Sequence, residues 1–123
     1  MGEAPETFSY EISDTIRQMA LALPDTTEGT SCVNRAFKAG SKNFAFLGEK
    51  DDECGLRLKL DASIEDLTTL AKTDPDRYQV GKGGWTMVKF APDDAPDEAD
   101  LEAWIMESFQ LLAPKKIVAK LDN

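Results

Sequence analysis

The chain has 123 residues, 41% of them hydrophobic, and a formal net charge of −9 at pH 7. This size predicts a single domain, and this hydrophobic content excludes a wholly disordered protein. No apolar run approaches the ~20 residues that a membrane-spanning helix needs, and the polar, acidic start differs from a secretory signal. We therefore expect a cytoplasmic protein that does not contact a membrane.

The charge is unevenly distributed along the chain. Residues 1–30 carry six acidic side chains and one basic, residues 91–123 carry eight and three, and residues 31–90 carry nine and ten. An acidic protein repels phosphate backbones at long range, but the balanced middle leaves room for a local basic surface. The chain has no histidine, and residue spacing assembles no nucleophile–base pair or metal-ligand cluster. We expect no enzymatic activity, no metal and no cofactor.

The first predicted element is an amphipathic helix. We expect residues 1–8 to form a disordered tail and residues 9–123 to form one domain. Apolar side chains recur at helical spacing over residues 9–23, Thr7 or Ser9 can cap the start, and Pro24 ends the helix. The inward positions of this helix are Ile12, Ile16, Met19, Ala20 and Leu23.

Three strands are predicted next. Residues 25–31 are polar apart from Gly29, and they predict a loop. Strands follow at residues 32–38, 42–47 and 55–60, with turns at residues 39–41 and 48–53. We expect Phe44 and Phe46 to share one face of the second strand. In the third strand, apolar and basic residues alternate strictly, which predicts a buried face and an outward face; these residues are Leu56, Arg57, Leu58, Lys59 and Leu60.

The second half of the chain alternates between helix and strand. A helix capped by Asp61 or Ser63 is predicted over residues 64–72. Strands at residues 77–80 and 85–90 form an antiparallel hairpin around residues 81–84, where glycine reaches positive φ. Asp97 begins a third helix, and residues 115–121 continue helical after Pro114. The inward positions of the two helices are Ile64, Leu67, Leu70, Leu101, Trp104, Ile105, Phe109 and Leu112.

The element order is helix, three strands, helix, two strands, helix. Strands joined by short turns favour an antiparallel sheet, and segregated helices favour one covered face. The sequence therefore predicts an α+β fold with two layers, in which a five-stranded antiparallel sheet carries helices on one face. Cys32 and Cys54 are too few and too far apart for a disulfide framework, so we expect free thiols in or near the core.

Basic and aromatic residues on the uncovered sheet face are the best candidates for a binding site. Arg57 and Lys59 face outward, and the strand register decides whether Arg35, Trp85 and Lys89 join them. Such a surface suits nucleic acid or an acidic partner, although outward polar residues also occur on any solvated strand. The candidate contact residues are Lys42, Arg57, Lys59, Lys82, Trp85 and Lys89. Residues 81–84 lack the spacing and the following helix of a phosphate-binding loop, and an enzyme working through Glu28 or Lys82 is the least supported alternative.

Short segments in a fixed order point to one family. From about Ile12 to Lys116 the chain resembles the MmcQ/YjbR family of small bacterial proteins. The segments are residues 22–31, 36–37, 40–47, 56–60, 81–85, 104–108 and 113–116. This resemblance implies a two-layer fold with an antiparallel sheet, similar to secretion chaperones and to the frataxin-like shape. The family is commonly labelled DNA-binding, and here that role would act through Lys42, Lys59, Lys82 and Trp85, which stand at motif positions.

The resulting expectation is a non-catalytic binding protein. Its partner is DNA if the family label applies to this chain. The alternative is a chaperone-like adaptor that contacts proteins and not nucleic acid. Either form is expected to be a monomer or a homodimer.

Overall fold

The computed structural model of the protein describes residues 10–31, 34–50, 53–92, 94 and 96–122. The predicted tail at residues 1–8, both predicted caps of the first helix, and Cys32 lie outside these residues. None of the described helices is long and apolar enough to cross a membrane.

The described residues form one six-stranded sheet and four α-helices. The strands are β1 (Thr26–Ser31), β2 (Asn34–Ala39), β3 (Lys42–Lys50), β4 (Glu53–Lys59), β5 (Tyr78–Val80) and β6 (Trp85–Phe90). The helices are α1 (Glu11–Leu21), α2 (Ile64–Thr73), α3 (Glu98–Leu112) and α4 (Lys115–Val118), and short 3-10 turns occupy Lys82–Gly84 and Ala119–Asp122. The strand order is β1-β2-β3-β4-β6-β5, and every neighbouring pair is antiparallel. The predicted α+β class is confirmed, with six strands instead of five.

The additional strand is β1, at residues that the sequence predicted as a polar loop. That prediction is wrong because β1 is held mainly by backbone pairing with β2, which runs in register from Thr26 opposite Ala39 to Ser31 opposite Asn34. Asp25, at a φ of 52°, turns the chain into the strand. An edge strand with one neighbour can do without the apolar residues by which strands are usually recognised.

The hydrophobic core lies between the helices and one sheet face. Ala45 lies opposite Leu58, and Leu47 lies opposite Leu56, so all four side chains point the same way and are buried. The helices contribute the predicted positions: Ile12, Ile16, Ala20, Leu67, Leu101, Ile105 and Phe109 are buried, and the remaining ones pack half-buried against this core. The predicted two-layer arrangement therefore follows from one apolar stripe per helix and one apolar face per strand.

A β-bulge separates Phe44 from Phe46, contrary to the prediction that they share a face. The pairing of β2 with β3 shifts between Phe37, opposite Ala45, and Lys38, opposite Asn43. This shift turns Phe44 into the core, where its ring meets Phe109 edge-on at 5.3 Å between centroids. Ser108 Oγ donates to the Phe44 carbonyl at 2.6 Å. One extra residue in one strand re-aims a side chain in this way.

Among the described residues, a side-chain hydrogen bond caps α3 but not α1 or α2. The Asp97 carboxylate accepts from the backbone N–H groups of Ala99 and Asp100, as expected of an N-cap. Tyr10 stands at the N-cap of α1 without a side-chain hydrogen bond. Ser63 is the N-cap of α2, but its hydroxyl donates to Glu107 of α3 at 2.6 Å instead of capping its own helix.

One predicted turn is shorter in the structure, and another is confirmed. Residues 48–53 were expected to form a turn, yet Gly48 and Glu49 continue β3 opposite Gly55 and Cys54. The turn between β5 and β6 is confirmed. Gly83 and Gly84 adopt φ values of 66° and 86°, which favour glycine.

Candidate functional site

The open face of the sheet carries the candidate site. Opposite residues of an antiparallel pair point to the same side. Arg57 lies opposite Phe46 of β3 and Met87 of β6, and Lys59 lies opposite Trp85. These five side chains therefore occupy the face that the helices leave uncovered.

Trp85 is the centre of an aromatic and cationic cluster. Its ring centroid lies 6.1 Å from that of Phe46, with the planes tilted by 50°. The Arg57 guanidinium carbon lies 5.4 Å from the Trp85 centroid. A cation at this distance from an indole ring is attracted by about 0.5–1 kcal/mol at an exposed site. We call Phe46, Arg57 and Trp85 the aromatic cluster.

Gly55 leaves room for Met87 beside this cluster. A side chain at Gly55 would place its Cβ 3.2 Å from the Met87 sulfur. Glycine therefore lets Met87 lie down on the sheet. Gly48 lies opposite Gly55 on β3, so two neighbouring strands lack a side chain at the same level. We call this part of the sheet face, which lacks side chains at Gly48 and Gly55, the platform.

A shallow depression of about 410 Å³ adjoins the cluster at the β5–β6 end. Its wall includes Arg57, Gln79, Lys82, Trp85 and Met87. The turn that carries Lys82 is anchored by two backbone hydrogen bonds, from Gly81 N–H to the Trp85 carbonyl at 2.7 Å and from Leu60 N–H to the Gly84 carbonyl at 2.9 Å. Lys82 is therefore an exposed cation on a fixed turn.

The turn itself depends on Gly84. A Cβ at Gly84 would collide with the backbone carbonyl oxygen of Leu60. Only glycine combines this close approach with a φ of 86°. Because Trp85 follows Gly84 directly in the chain, the backbone conformation of Gly84 also determines the position of the Trp85 indole.

Charge is segregated between the two layers. The open face presents Lys38, Arg57, Lys59 and Lys89 by register, and Glu53 is an acidic residue on the same face. Glu53 Oε1 lies 4.0 Å from Lys89 Nζ. In the helical layer, α3 contains four acidic side chains and no lysine or arginine, and α1 has two acids and one arginine. The net charge of −9 thus conceals a locally basic sheet face.

The structure brings most of the predicted contact residues together. Arg57, Lys59, Trp85 and Lys89 share the open face, and Lys82 stands at its rim. Lys42 does not join them, because it lies opposite the buried Ala39 at the end of β3 and so belongs to the helix-side face.

Sequence reasoning missed Phe46, Met87 and Lys38. Met87 was recognisable as the alternate position between Trp85 and Lys89 in β6. Phe46 and Lys38 lie on the two strands whose register shifts at the bulge, and alternation alone does not reveal a bulge.

Glu28 has a structural role on the opposite side. Its carboxylate lies 2.8 Å from Arg17 Nε of α1 and 3.6 Å from Arg35 Nε of β2, and its side chain is 13% exposed. Arg35 is thereby placed on the helix side and does not join the open face. The carboxylate ties the edge strand β1 to a helix and to its neighbouring strand.

The expectation that the protein is not an enzyme stays a prediction.

Cys54 is a free thiol in the core, as predicted. Burial raises the pKa of this thiol to about 11, so it is protonated and unreactive near neutral pH. Within the ranges that the structure describes, no three acidic or cysteine side chains are grouped to hold a metal ion.

A comparison with known protein families finds one match. Residues 21–111 match the YjbR family, a span that includes all six strands and the whole open face. The chain therefore belongs to the YjbR family, as its sequence segments indicated. Among curated proteins, none matches this chain.

Proposed function

We propose that the protein is a non-catalytic binding protein that holds single-stranded nucleic acid on its open sheet face. The observation that carries this proposal is the aromatic cluster: Trp85 and Phe46 stand next to Arg57 on a surface that none of the described helices covers. Every base has a π-face, so stacking on an aromatic side chain contributes about 1–3 kcal/mol per base whatever the sequence.

The shape of the surface favours a single strand over a duplex. A duplex hides its base faces and is commonly read by a helix or a narrow ribbon inserted into a groove. Here the helices lie on the other layer, and the platform lacks side chains at Gly48 and Gly55. Unstacked bases of a single strand can lie on such a platform.

The charge pattern predicts weak, salt-sensitive binding. Lys59, Lys89 and Lys82 flank the cluster and can each meet a phosphate. For about three phosphates on a single strand, the logarithm of the association constant should fall with the logarithm of salt concentration at a slope of about −2. The acidic helical layer repels nucleic acid and so disfavours its binding on the side opposite the open sheet face.

Fluorescence anisotropy tests the proposal. A labelled oligothymidylate of about 12 nucleotides, within the ~4–16 nucleotides that one sheet-based module covers, is titrated at low salt. An RNA oligonucleotide and a duplex of the same length are titrated in parallel. We expect micromolar binding of the single strands and weaker binding of the duplex. Failure of any single strand to bind at low salt would remove the proposal.

The variants Trp85→Leu and Trp104→Phe distinguish the contributions of the two tryptophans to fluorescence and to binding. Trp104 lies on α3, half-buried against the core, so in the Trp104→Phe protein the remaining indole fluorescence reports on Trp85 alone. We expect the oligonucleotide to quench that fluorescence. Trp85→Leu should weaken binding roughly tenfold or more, the loss expected from one stacked base. Equal affinity of Trp85→Leu and wild type would show that the cluster does not bind bases.

A further inference from the structure

An apolar groove runs between α1 and α3 on the helical layer. It has a volume of about 360 Å³, and buried Ile105 is among the residues that line it. The other lining residues are Met19, Ala22, Leu23, Ala99, Glu102, Ala103 and Met106.

Small and flexible residues form this groove. Ala99 and Ala103 are one helical turn apart and exposed, so the α3 backbone is accessible there. Met19, Leu23 and Met106 are half-buried, with one side packed on the core and the other facing the groove. Methionine adapts to differently shaped apolar partners. The groove therefore suits the apolar side chains of another helix.

The charge around the groove selects a basic occupant. Glu102 stands on the groove wall, and no ion pair with it is formed by the residues described. Glu98 lies one turn earlier on α3, a helix without any lysine or arginine. Among the residues that the structure describes, no lysine or arginine lines the groove. Nucleic acid would be repelled here, whereas lysine or arginine beside an apolar stripe would find complementary charge.

We propose that this groove docks an amphipathic helix of a partner protein. The helix places apolar residues at i, i+3 or i+4, and i+7 between α1 and α3, and basic residues along the Glu98 and Glu102 side. The groove and the open sheet face lie on different layers, so both can be occupied at once. The protein would then connect nucleic acid with a basic helical partner, yet the docking does not depend on nucleic-acid binding.

Labelled synthetic helices test the chemistry of the occupant. The probe is a peptide of leucine and lysine with helical amphipathic spacing. One control has the same composition in scrambled order, and a second replaces every lysine by glutamate. We expect the ordered lysine peptide to bind and to gain helicity in circular dichroism, with the scrambled peptide about tenfold weaker and the glutamate peptide not bound. Equal binding of ordered and scrambled peptides would mean unspecific charge attraction and would overturn the proposal.

Ala103→Gln tests the place of docking. Glutamine is a good helix former at this exposed position, so the fold is retained while the groove is filled. We expect at least a tenfold loss of peptide affinity, against no loss for Ala119→Gln, a matched exposed alanine outside the groove. Equal affinity of the two variants would place the peptide elsewhere and overturn the proposal. Sedimentation of the free protein adds a further arm, since self-association abolished by Ala103→Gln would assign the groove to a second copy instead.

Oligonucleotide titration of the same variants separates the two roles. Ala103→Gln should bind oligothymidylate like the wild type, and Trp85→Leu should bind the peptide like the wild type. Loss of peptide binding in Trp85→Leu would move the peptide to the sheet face and contradict docking between the helices.

Discussion

The two faces of the sheet are made by alternate residues of the same strands, yet they differ in burial and in charge. In β4, Leu56 and Leu58 are fully buried beneath the helices, while Arg57 between them is exposed. The helix side is apolar and is covered by helices, of which α1, α2 and α3 carry more acidic than basic side chains. The open side is basic and carries the aromatic cluster.

Comparing the two faces shows which side chains are needed for folding. Burial of apolar surface drives folding at about 25 cal/mol per Å², and that burial is concentrated on the helix side. Apart from Ala36, the described side chains on the open face are at most half-buried, so stability places fewer demands on them. The aromatic rings of Phe46 and Trp85 on that face support the proposed binding role.

The largest effect expected from this contrast separates Leu58 from its neighbour Arg57. Leu58→Ala leaves a cavity in the core and should lower the free energy of unfolding by about 2–5 kcal/mol. Arg57→Ala should change it by about 1 kcal/mol or less, because the side chain is exposed and loses only its contact with the Trp85 ring. Urea denaturation followed by circular dichroism measures both.

The two variants should show the opposite order in oligonucleotide binding. Arg57→Ala removes the cation from the aromatic cluster and is expected to weaken binding, whereas Leu58→Ala should bind normally as long as it stays folded. If Arg57→Ala lowered the free energy of unfolding as much as Leu58→Ala does, the two faces would not differ in their contribution to stability.

The sequence alone predicted the helix side better than the sheet edges. Periodicity identified the three long helices and the alternation of β4 because both patterns repeat over several residues. It failed at β1, where Thr26, Glu28 and Thr30 point to the helix side beyond the apolar core. A polar edge strand is recognisable only by its threonines, which favour strands.

The candidate site was predictable in part for the same physical reason. Arg57, Lys59, Trp85 and Lys89 alternate with buried residues in regular strands, so their common face could be inferred. Phe46 could not be placed there, since the bulge at Phe44 reverses the local alternation. The Phe44 side chain, which this bulge turns inward, packs against Phe109, and Phe109 lies far away in the sequence.

A smaller effect is expected at the turn that supports Trp85. Gly84→Ala introduces a Cβ against the Leu60 carbonyl oxygen at a positive φ, and strain of this kind costs about 1–3 kcal/mol. Oligonucleotide binding should weaken as well, because the backbone must shift next to Trp85. Gly29→Ala is the matched control: no atom lies within 4 Å of its Cβ. Similar losses of stability in both would exclude local strain as the cause.

A still smaller effect tests the connection between α2 and α3. Burial raises the pKa of the Glu107 carboxyl, but hydrogen bonds from Ser63 and from the backbone N–H groups at the start of α2 outweigh it and leave the pKa below its usual value. A lowered pKa in the folded state stabilises the fold above the unfolded pKa of about 4.3. This contribution is lost as the pH falls through the folded pKa. Glu107→Ala should cost about 1 kcal/mol at neutral pH and make acid unfolding less steep. Glu102→Ala, exposed on the same helix, should do neither.

Lys89→Gln is expected to change stability least, and it gives the most specific test of the open face. Lys89 Nζ lies 4.0 Å from Glu53 Oε1 with both side chains largely exposed, so Lys89→Gln should alter the free energy of unfolding by about 0.5 kcal/mol or less. Its removal should nevertheless reduce the salt slope of oligonucleotide binding by about 0.7, the share of one phosphate contact on a single strand. Lys72→Gln on α2 makes the same change in net charge on the helical layer and should leave the slope unaltered. Equal slopes for the two variants would mean that net charge controls binding, and not the cations on the open face.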